Sequence, residues 1–134
     1  MASLTLTKAV RTLVAAGTSN AAGSTTRGTA DLRTVHGGLL TMKVTNGGTG
    51  PTIGCSVRVL VAHATGATPT AASAGADWKT LWSFTALTGN GAVTEQSVEI
   101  GPGVMHLEVE FTGNTGQAVT VEALLSEVSS VLSV

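Results

Sequence analysis

The sequence predicts an all-β protein: a two-sheet antiparallel β-sandwich with eight strands, as in a jelly roll. Three observations support this prediction. Apolar residues recur at every second position over most of the chain, turns rich in glycine and asparagine separate the alternating segments, and eight such segments fit within 134 residues. A chain of this length is expected to form one domain with a substantial core.

The alternating segments have one apolar face and one more polar face, like the strands of an antiparallel sheet that covers a core. In one of them, Leu40, Met42 and Val44 alternate with polar residues. The predicted strands cover residues 3–14, 31–36, 39–46, 54–63, 78–86, 92–100, 104–112 and 117–127.

Turn-forming residues separate these segments, because Gly and Asn tolerate a positive φ and Pro presets the first position of a turn. The clearest turns are Asn46-Gly47-Gly48, Gly89-Asn90-Gly91, Gly101-Pro102-Gly103 and Gly113-Asn114-Thr115-Gly116.

A seven-stranded immunoglobulin-like sandwich is the main alternative, because the first strand is the least certain. The single cysteine, Cys55, rules out an internal disulfide and the paired cysteines of a true immunoglobulin domain. Residues 8–16 have some helical potential and residues 121–128 are ambiguous. Thr and Val are dense in the first of these segments, which favours a strand.

Residues 1–30 are expected to form an N-terminal strand followed by a flexible arm, and residues 31–134 the sandwich body of a single domain. Residues 15–30 and 62–76 consist largely of Ala, Gly, Ser and Thr, which is typical of loops. In an assembly protein such a segment can instead be ordered by a neighbouring subunit.

Charged residues make up only 11% of the chain, compared with about 25% in typical soluble domains. A surface of this kind suits packing against another protein, because little charge has to be desolvated. The net charge is −1 and no basic block is present, which argues against binding to nucleic acid. No apolar run is long enough to span a membrane, and residues 1–17 lack the pattern of a secretory signal.

The sequence indicates no catalytic, cofactor-binding or metal-binding residues, and we expect the protein not to be an enzyme. The three histidines lack a metal-ligand spacing and are expected to face solvent or an interface. The paired carboxylates are expected on solvated strand faces, and Cys55 as a small buried apolar residue. The residues concerned are His36, His63, His106, Glu95 with Glu99, and Glu108 with Glu110.

Aromatic residues are scarce, and three of them lie in one predicted strand. Trp78, Trp82 and Phe84 are expected to share one face. Two exposed tryptophans can form a platform for sugar rings, but paired tryptophans in a strand more often anchor a core or an interface.

Several motifs follow one another in an order that resembles the order in small structural proteins of tailed bacteriophages. It is similar to the jelly-roll cement proteins that decorate phage heads, such as that of the Bordetella phage. The resemblance covers most of the chain from about residue 25 onward. It is carried by residues 27–32, 37–41, 44–52, Trp78, 101–106 and 113–121.

The resemblance implies a virion protein that binds the outer surface of the head in many copies and stabilises the shell. Its implied partner is the major capsid protein or another virion protein, and its implied assembly state is a homodimer or homotrimer. It would be made and assembled in the host cytoplasm. A neck, tail or fibre component is the alternative, and a carbohydrate-binding module a weaker one. The expected contacts are the arm within residues 5–30 and the loop at residues 62–77.

Overall fold

The computed structural model describes residues 3–71 and 77–133. Within these ranges every helix or strand is a β-strand, as predicted. The strands are β1 (Leu4–Asn20), β2 (Thr25–Asp31), β3 (Gly38–Asn46), β4 (Ser56–Ala62), β5 (Trp78–Thr85), β6 (Val93–Ile100), β7 (His106–Thr112) and β8 (Val119–Ser133).

The strands form two four-stranded antiparallel sheets. Sheet I has the order β1-β8-β3-β6, and sheet II has the order β2-β7-β4-β5. Both orders place the last strands of the chain between early ones, as the two interlocked Greek keys of a jelly roll do. The predicted fold class is therefore confirmed. The eight strands and their order exclude the seven-stranded immunoglobulin-like alternative.

The core lies between the two sheets and is built from the apolar positions of the alternating pattern. Leu40, Met42 and Val44 of β3 face Val57 and Val59 of β4 across the sandwich, and all five are buried. A fully buried Leu, Val or Met side chain stabilises a fold by about 1.5–3 kcal/mol, so this interior dominates the folding free energy.

Residues 15–30 differ from the prediction, which made them a loop or arm. β1 continues to Asn20, and the second strand is Thr25–Asp31 rather than residues 31–36. Small residues are needed here because β1 and β2 approach closely: a Cβ on Gly28 would lie 2.3 Å from the carbonyl oxygen of Leu13. The loop assignment is therefore wrong, and the bland composition reflects close packing between strands.

The second predicted loop agrees with the structure over its described part. Residues 63–71 have no helix or strand, and residues 72–76 lie outside the described residues. The start of this connection covers the outer face of sheet II at β7.

Antiparallel pairing collects the connections at opposite ends of the sandwich. The connections 21–24, 47–55, 86–92 and 113–118 lie at one end, where Asn46 of β3 pairs with Val119 and its backbone N–H donates to the Ala92 carbonyl. The connections 32–37 and 101–105 and residues 63–71 lie at the other end.

Two strands run past the second of these ends. β8 pairs with β3 only as far as Glu127, whereas it pairs with β1 as far as Ser133. Residues 4–8 and 128–133 therefore form a two-stranded extension, which we call the terminal ribbon.

Candidate interaction surfaces

One end of the sandwich has no side chain in its loops that is charged at neutral pH. We call the connections 21–24, 47–55, 86–92 and 113–118 the neutral end, because none of their residues is Asp, Glu, Lys, Arg or His. Large apolar side chains are exposed there: Ile53 is 58% exposed, Leu87 61% and the adjoining Val93 51%. Such a surface can be buried against another protein without desolvating a charge.

Two buried asparagines hold the first and last connections of the neutral end together. The Asn20 side-chain amide donates to the Asn114 side-chain oxygen at 2.6 Å and to the Ser24 carbonyl at 3.1 Å. The Asn114 amide donates to the Asn20 carbonyl at 3.1 Å and to the Gln117 carbonyl at 2.9 Å. Buried amides satisfied in this way fix the positions of the loops that they join.

A third buried asparagine ties the other two connections. The Asn46 side-chain amide donates to the carbonyls of Leu87 and Gly89, both at 2.8 Å. The backbone N–H of Gly50 donates to the side-chain oxygen of Asn90 at 2.9 Å. The loops therefore keep their relative positions without a partner, which lowers the entropy cost of binding one.

The terminal ribbon is a second apolar surface. Its apolar side chains are exposed, and β1 carries a further one just beyond it: Leu4 is 66% exposed, Leu6 47%, Val10 69%, Val131 42% and Leu132 57%. An isolated two-stranded ribbon is marginally stable in water. Burial of these side chains against a partner would therefore both order the ribbon and remove apolar surface from water.

The outer face of sheet II differs most from the sequence predictions. His106, Glu108 and Glu110 were expected at solvated positions, but all three are buried. The alternation along β7 correctly predicted that these side chains point away from the core. In the structure, however, neighbouring side chains and residues 63–71 cover that outer face. The expectation that they face solvent is wrong, because periodicity within one strand cannot report what covers it.

Cross-strand arginines compensate the two buried carboxylates. Glu110 lies opposite both Arg27 of β2 and Arg58 of β4. The Arg58 guanidinium donates to both oxygens of Glu110 at 3.2 Å. Arg27 also contacts Glu110 and lies 3.4 Å from Glu108, so it bridges the two carboxylates. Arginine suits such a pairing because its planar group donates in several directions.

His106 is held under the loop that follows β4. Its Nε2 donates to the Ala64 carbonyl at 2.9 Å, and its Nδ1 lies 3.0 Å from the Thr68 hydroxyl. His36 and His63 are exposed, as expected. Across residues 3–71 and 77–133, no three His, Cys, Asp or Glu side chains are close enough together to hold a metal ion.

An ion pair at the end of β2 connects that strand to the loop at residues 63–71. The Arg33 guanidinium is hydrogen-bonded to Asp31 and holds the pKa of that carboxyl well below its usual range. Arg33 also donates to the Thr65 carbonyl at 2.8 Å. Because the pKa of Asp31 is lowered on folding, the stability that it contributes is present at neutral pH and is lost as the pH falls through the acid range.

The other carboxylate pair agrees with its prediction. Glu95 and Glu99 lie on one face of β6 and are exposed. Glu95 is directly opposite Lys43 of β3. This position fits a solvated sheet face with a cross-strand charge pair.

The tryptophans do not share one face. A bulge between Val59 and Leu60 shifts the pairing of β5, so that Trp82 lies opposite Val59 and Trp78 opposite Ala62. Trp82 packs against the core and against Phe84, with ring centroids 5.2 Å apart. Trp78 is on the outer side, and its indole N–H donates to the Thr70 carbonyl at 3.0 Å. The expectation of one shared face is wrong for Trp78, and the two rings do not form a common platform.

Cys55 is fully buried, and burial raises the pKa of its thiol to about 11. Because only the thiolate reacts readily, we expect no modification of the native protein by a thiol-specific reagent at pH 8. Rapid modification should appear only when denaturant unfolds the chain, and mass spectrometry of the treated protein would measure it. Rapid labelling of the native protein would contradict this prediction.

Comparison with known proteins identifies a fold and not a family. No protein-family model matches the chain, and no curated protein matches it in sequence. Several solved structures share its architecture. The K3 cleaved adhesin domain of Lys-gingipain from Porphyromonas gingivalis is 14% identical over 81% of this chain and 71% of that one, with a TM-score of 0.56.

Viral capsid proteins are also among the structural neighbours. A chain of the T13 particle of infectious bursal disease virus is 11% identical over 90% of this chain, with a TM-score of 0.53. The VP2 subviral particle of that virus is 10% identical over 91%, with a TM-score of 0.50. This chain spans 31% and 32% of those two chains. The likeness is one of fold alone.

No helix within the described ranges could cross a membrane.

Proposed function

We propose that this chain is a structural protein of a bacteriophage virion: a cement protein that binds the outside of the head and stabilises the shell. The observation that carries the proposal is the neutral end, where four connections without a charged side chain are held in place by buried asparagines. The jelly-roll topology and the motifs that resemble phage cement proteins support it. In this proposal the protein acts by binding and catalyses no reaction.

Each contact of the neutral end with a partner should cost little free energy to form. A neutral, apolar surface gains free energy on burial without an electrostatic penalty. Loops that are already ordered lose little entropy on docking. A contact of modest area is then sufficient, because many copies bound on one shell resist its opening together. The proposed partner is the major capsid protein, and the proposed location is the capsid surface.

A charge placed at the neutral end should weaken docking. We expect Leu87→Glu to weaken binding to expanded heads that lack the protein by at least tenfold, because the new carboxylate would have to be desolvated. Leu39→Glu is the matched control: Leu39 is also exposed, at 46%, but lies on the outer face of sheet I. Co-sedimentation of each variant with the heads measures binding.

Three results would count against parts of the proposal. If the wild-type protein shows no affinity for heads, the cement function is wrong. If both variants bind as well as the wild type, the neutral end is not the contact. If intact particles contain about a dozen copies or fewer rather than hundreds, a neck, tail or fibre component replaces the decoration protein.

A further inference from the structure

The outer face of sheet II carries two rows of polar side chains beside the neutral end. Each row crosses the sheet, because residues that are paired between neighbouring strands lie side by side on one face. The first row consists of the strand residues that adjoin the four connections of the neutral end, and each of them bears a hydroxyl group: Thr25, Thr112, Ser56 and Thr85. The second row lies two residues further along each strand: Arg27, Glu110, Arg58 and Ser83.

A cleft of about 480 Å³ lies where the two rows cross β4 and β5. Its volume is in the range of small-ligand sites. Among the described residues that line the cleft, Glu110 is the only acidic one, and it is buried. The exposed lining therefore offers a positive charge and hydroxyl groups, and no exposed carboxylate. The polar lining consists of Ser56, Arg58, Ser83, Thr85, Glu110 and Thr112.

Glu110 fixes the orientation of the Arg58 guanidinium and occupies only one of its two edges. Nε donates to Oε1 and Nη2 donates to Oε2, both at 3.2 Å, which is a bidentate pair along one edge. The other edge, formed by Nη1 and the second N–H of Nη2, makes no hydrogen bond with any residue in 3–71 or 77–133. Because the Arg58 side chain is 45% exposed, a ligand can reach this edge. An arginine that is already held in place loses little side-chain entropy when it binds a second carboxylate.

Three hydroxyl groups near Arg58 are also available to a ligand. Those of Ser56, Ser83 and Thr85 make no side-chain hydrogen bond in the part of the chain that the structure describes. The hydroxyls of Thr25 and Thr112, by contrast, are bonded to each other at 2.7 Å. A hydroxyl can donate to a carboxylate oxygen. An arginine edge flanked by such donors suits a planar, negatively charged group with two oxygens.

We propose that this cleft binds a carboxylate, and that the carboxylate belongs to an Asp or Glu side chain of the protein that covers the neutral end. The inference rests on the proposed function, which supplies that partner. A partner in contact with Leu87 lies two residues, or about 7 Å along the strand, from Thr85, so its surface extends to the cleft. The positive charge of Arg58 favours an acidic occupant over a basic or apolar one. The apolar contact then supplies most of the affinity, and the ion pair fixes the orientation of the two proteins.

The variant Arg58→Met tests the partner. At low salt we expect it to bind expanded heads about fivefold more weakly than the wild type, which is the upper end for a partly exposed ion pair. Added NaCl should weaken the binding of the wild type and leave that of Arg58→Met nearly unchanged, because salt screens an exposed ion pair. Lys43→Met is the matched control: it removes one positive charge from the outer face of sheet I and should bind with the wild-type affinity and salt dependence.

A titration with acetate tests the cleft without phage heads. We expect sodium acetate, but not sodium chloride at the same concentration, to shift the backbone amide NMR signals of Ser56, Ser83 and Thr85 until they saturate. Arg58→Met should abolish these shifts, and Lys43→Met should retain them.

The two experiments separate the possible failures. If acetate causes no saturable shift, the cleft is not a carboxylate site and the inference is overturned. If acetate binds but the binding of heads neither depends on salt nor changes in Arg58→Met, an acidic side chain of the partner is not the occupant. If the wild type does not bind heads at all, the proposed function fails, and the acetate titration still decides whether the cleft binds a carboxylate.

Discussion

Arg27→Met is expected to lower the free energy of unfolding by about 3 kcal/mol, because it removes a cation that contacts two buried carboxylates, and breaking a buried ion pair is strongly destabilising. Arg27 contacts Glu110 and lies 3.4 Å from Glu108, and the side chains of both glutamates are almost completely inaccessible to solvent. Methionine retains much of the apolar stem of the arginine, so the loss should reflect charge more than packing.

Arg58→Met is the matched control. Among the residues that the structure describes, Arg58 pairs only with Glu110. Its side chain is 45% exposed, and Glu110 keeps Arg27 as a partner in that variant. A pair that is this exposed contributes about 1 kcal/mol or less. Urea unfolding of both variants, followed by tryptophan fluorescence, would measure the difference. Equal losses in the two variants would contradict the assignment of Arg27 as the main compensating charge.

The sandwich was predictable from the sequence because alternation records which side of each strand is buried. It placed Leu40, Met42 and Val44 in the core, and the structure agrees. It failed where small residues replace alternation: residues 25–31 form β2, although their composition resembles a loop. In β2 the close approach of β1, seen at Gly28, requires small residues. The composition of β2 therefore reflects this steric limit and not the alternation of apolar and polar residues.

The interaction surfaces were only partly predictable. The turns at Asn46 and Asn114 were visible as asparagine and glycine motifs, and the low charge was visible in the composition. That these turns gather at one end follows from the strand order, which pairs residues far apart in the chain. The burial of Glu108 and the separation of Trp78 from Trp82 likewise depend on a neighbouring strand and on a bulge.

Asn114→Ala is expected to lower the free energy of unfolding by about 3 kcal/mol. The Asn114 side chain donates to the carbonyls of Asn20 and Gln117 and accepts from the Asn20 amide. Alanine would leave these groups without that partner, and each buried polar group that loses its hydrogen bond costs about 1–3 kcal/mol. The cost is moderated because the Asn20 amide keeps its second acceptor, the Ser24 carbonyl.

Asn90→Ala is the control at the same end of the molecule. Asn90 is exposed, and its side chain accepts one hydrogen bond, from the Gly50 N–H. Its removal should cost less than about 1 kcal/mol, because water can replace it. Thermal or urea unfolding of the two variants would test the expected contrast.

The asparagine variants also separate folding from docking. At a temperature where Asn114→Ala remains folded, the connections 21–24 and 113–118 should exchange their amide hydrogens faster than in the wild type, while the core strands should not. Docking to phage heads should weaken by about tenfold, because a partner must then order these loops at a cost of about 1.4 kcal/mol. If exchange increases but docking is unchanged, these two connections do not contribute to the contact, and the surface around Ile53 and Leu87 would have to carry it alone.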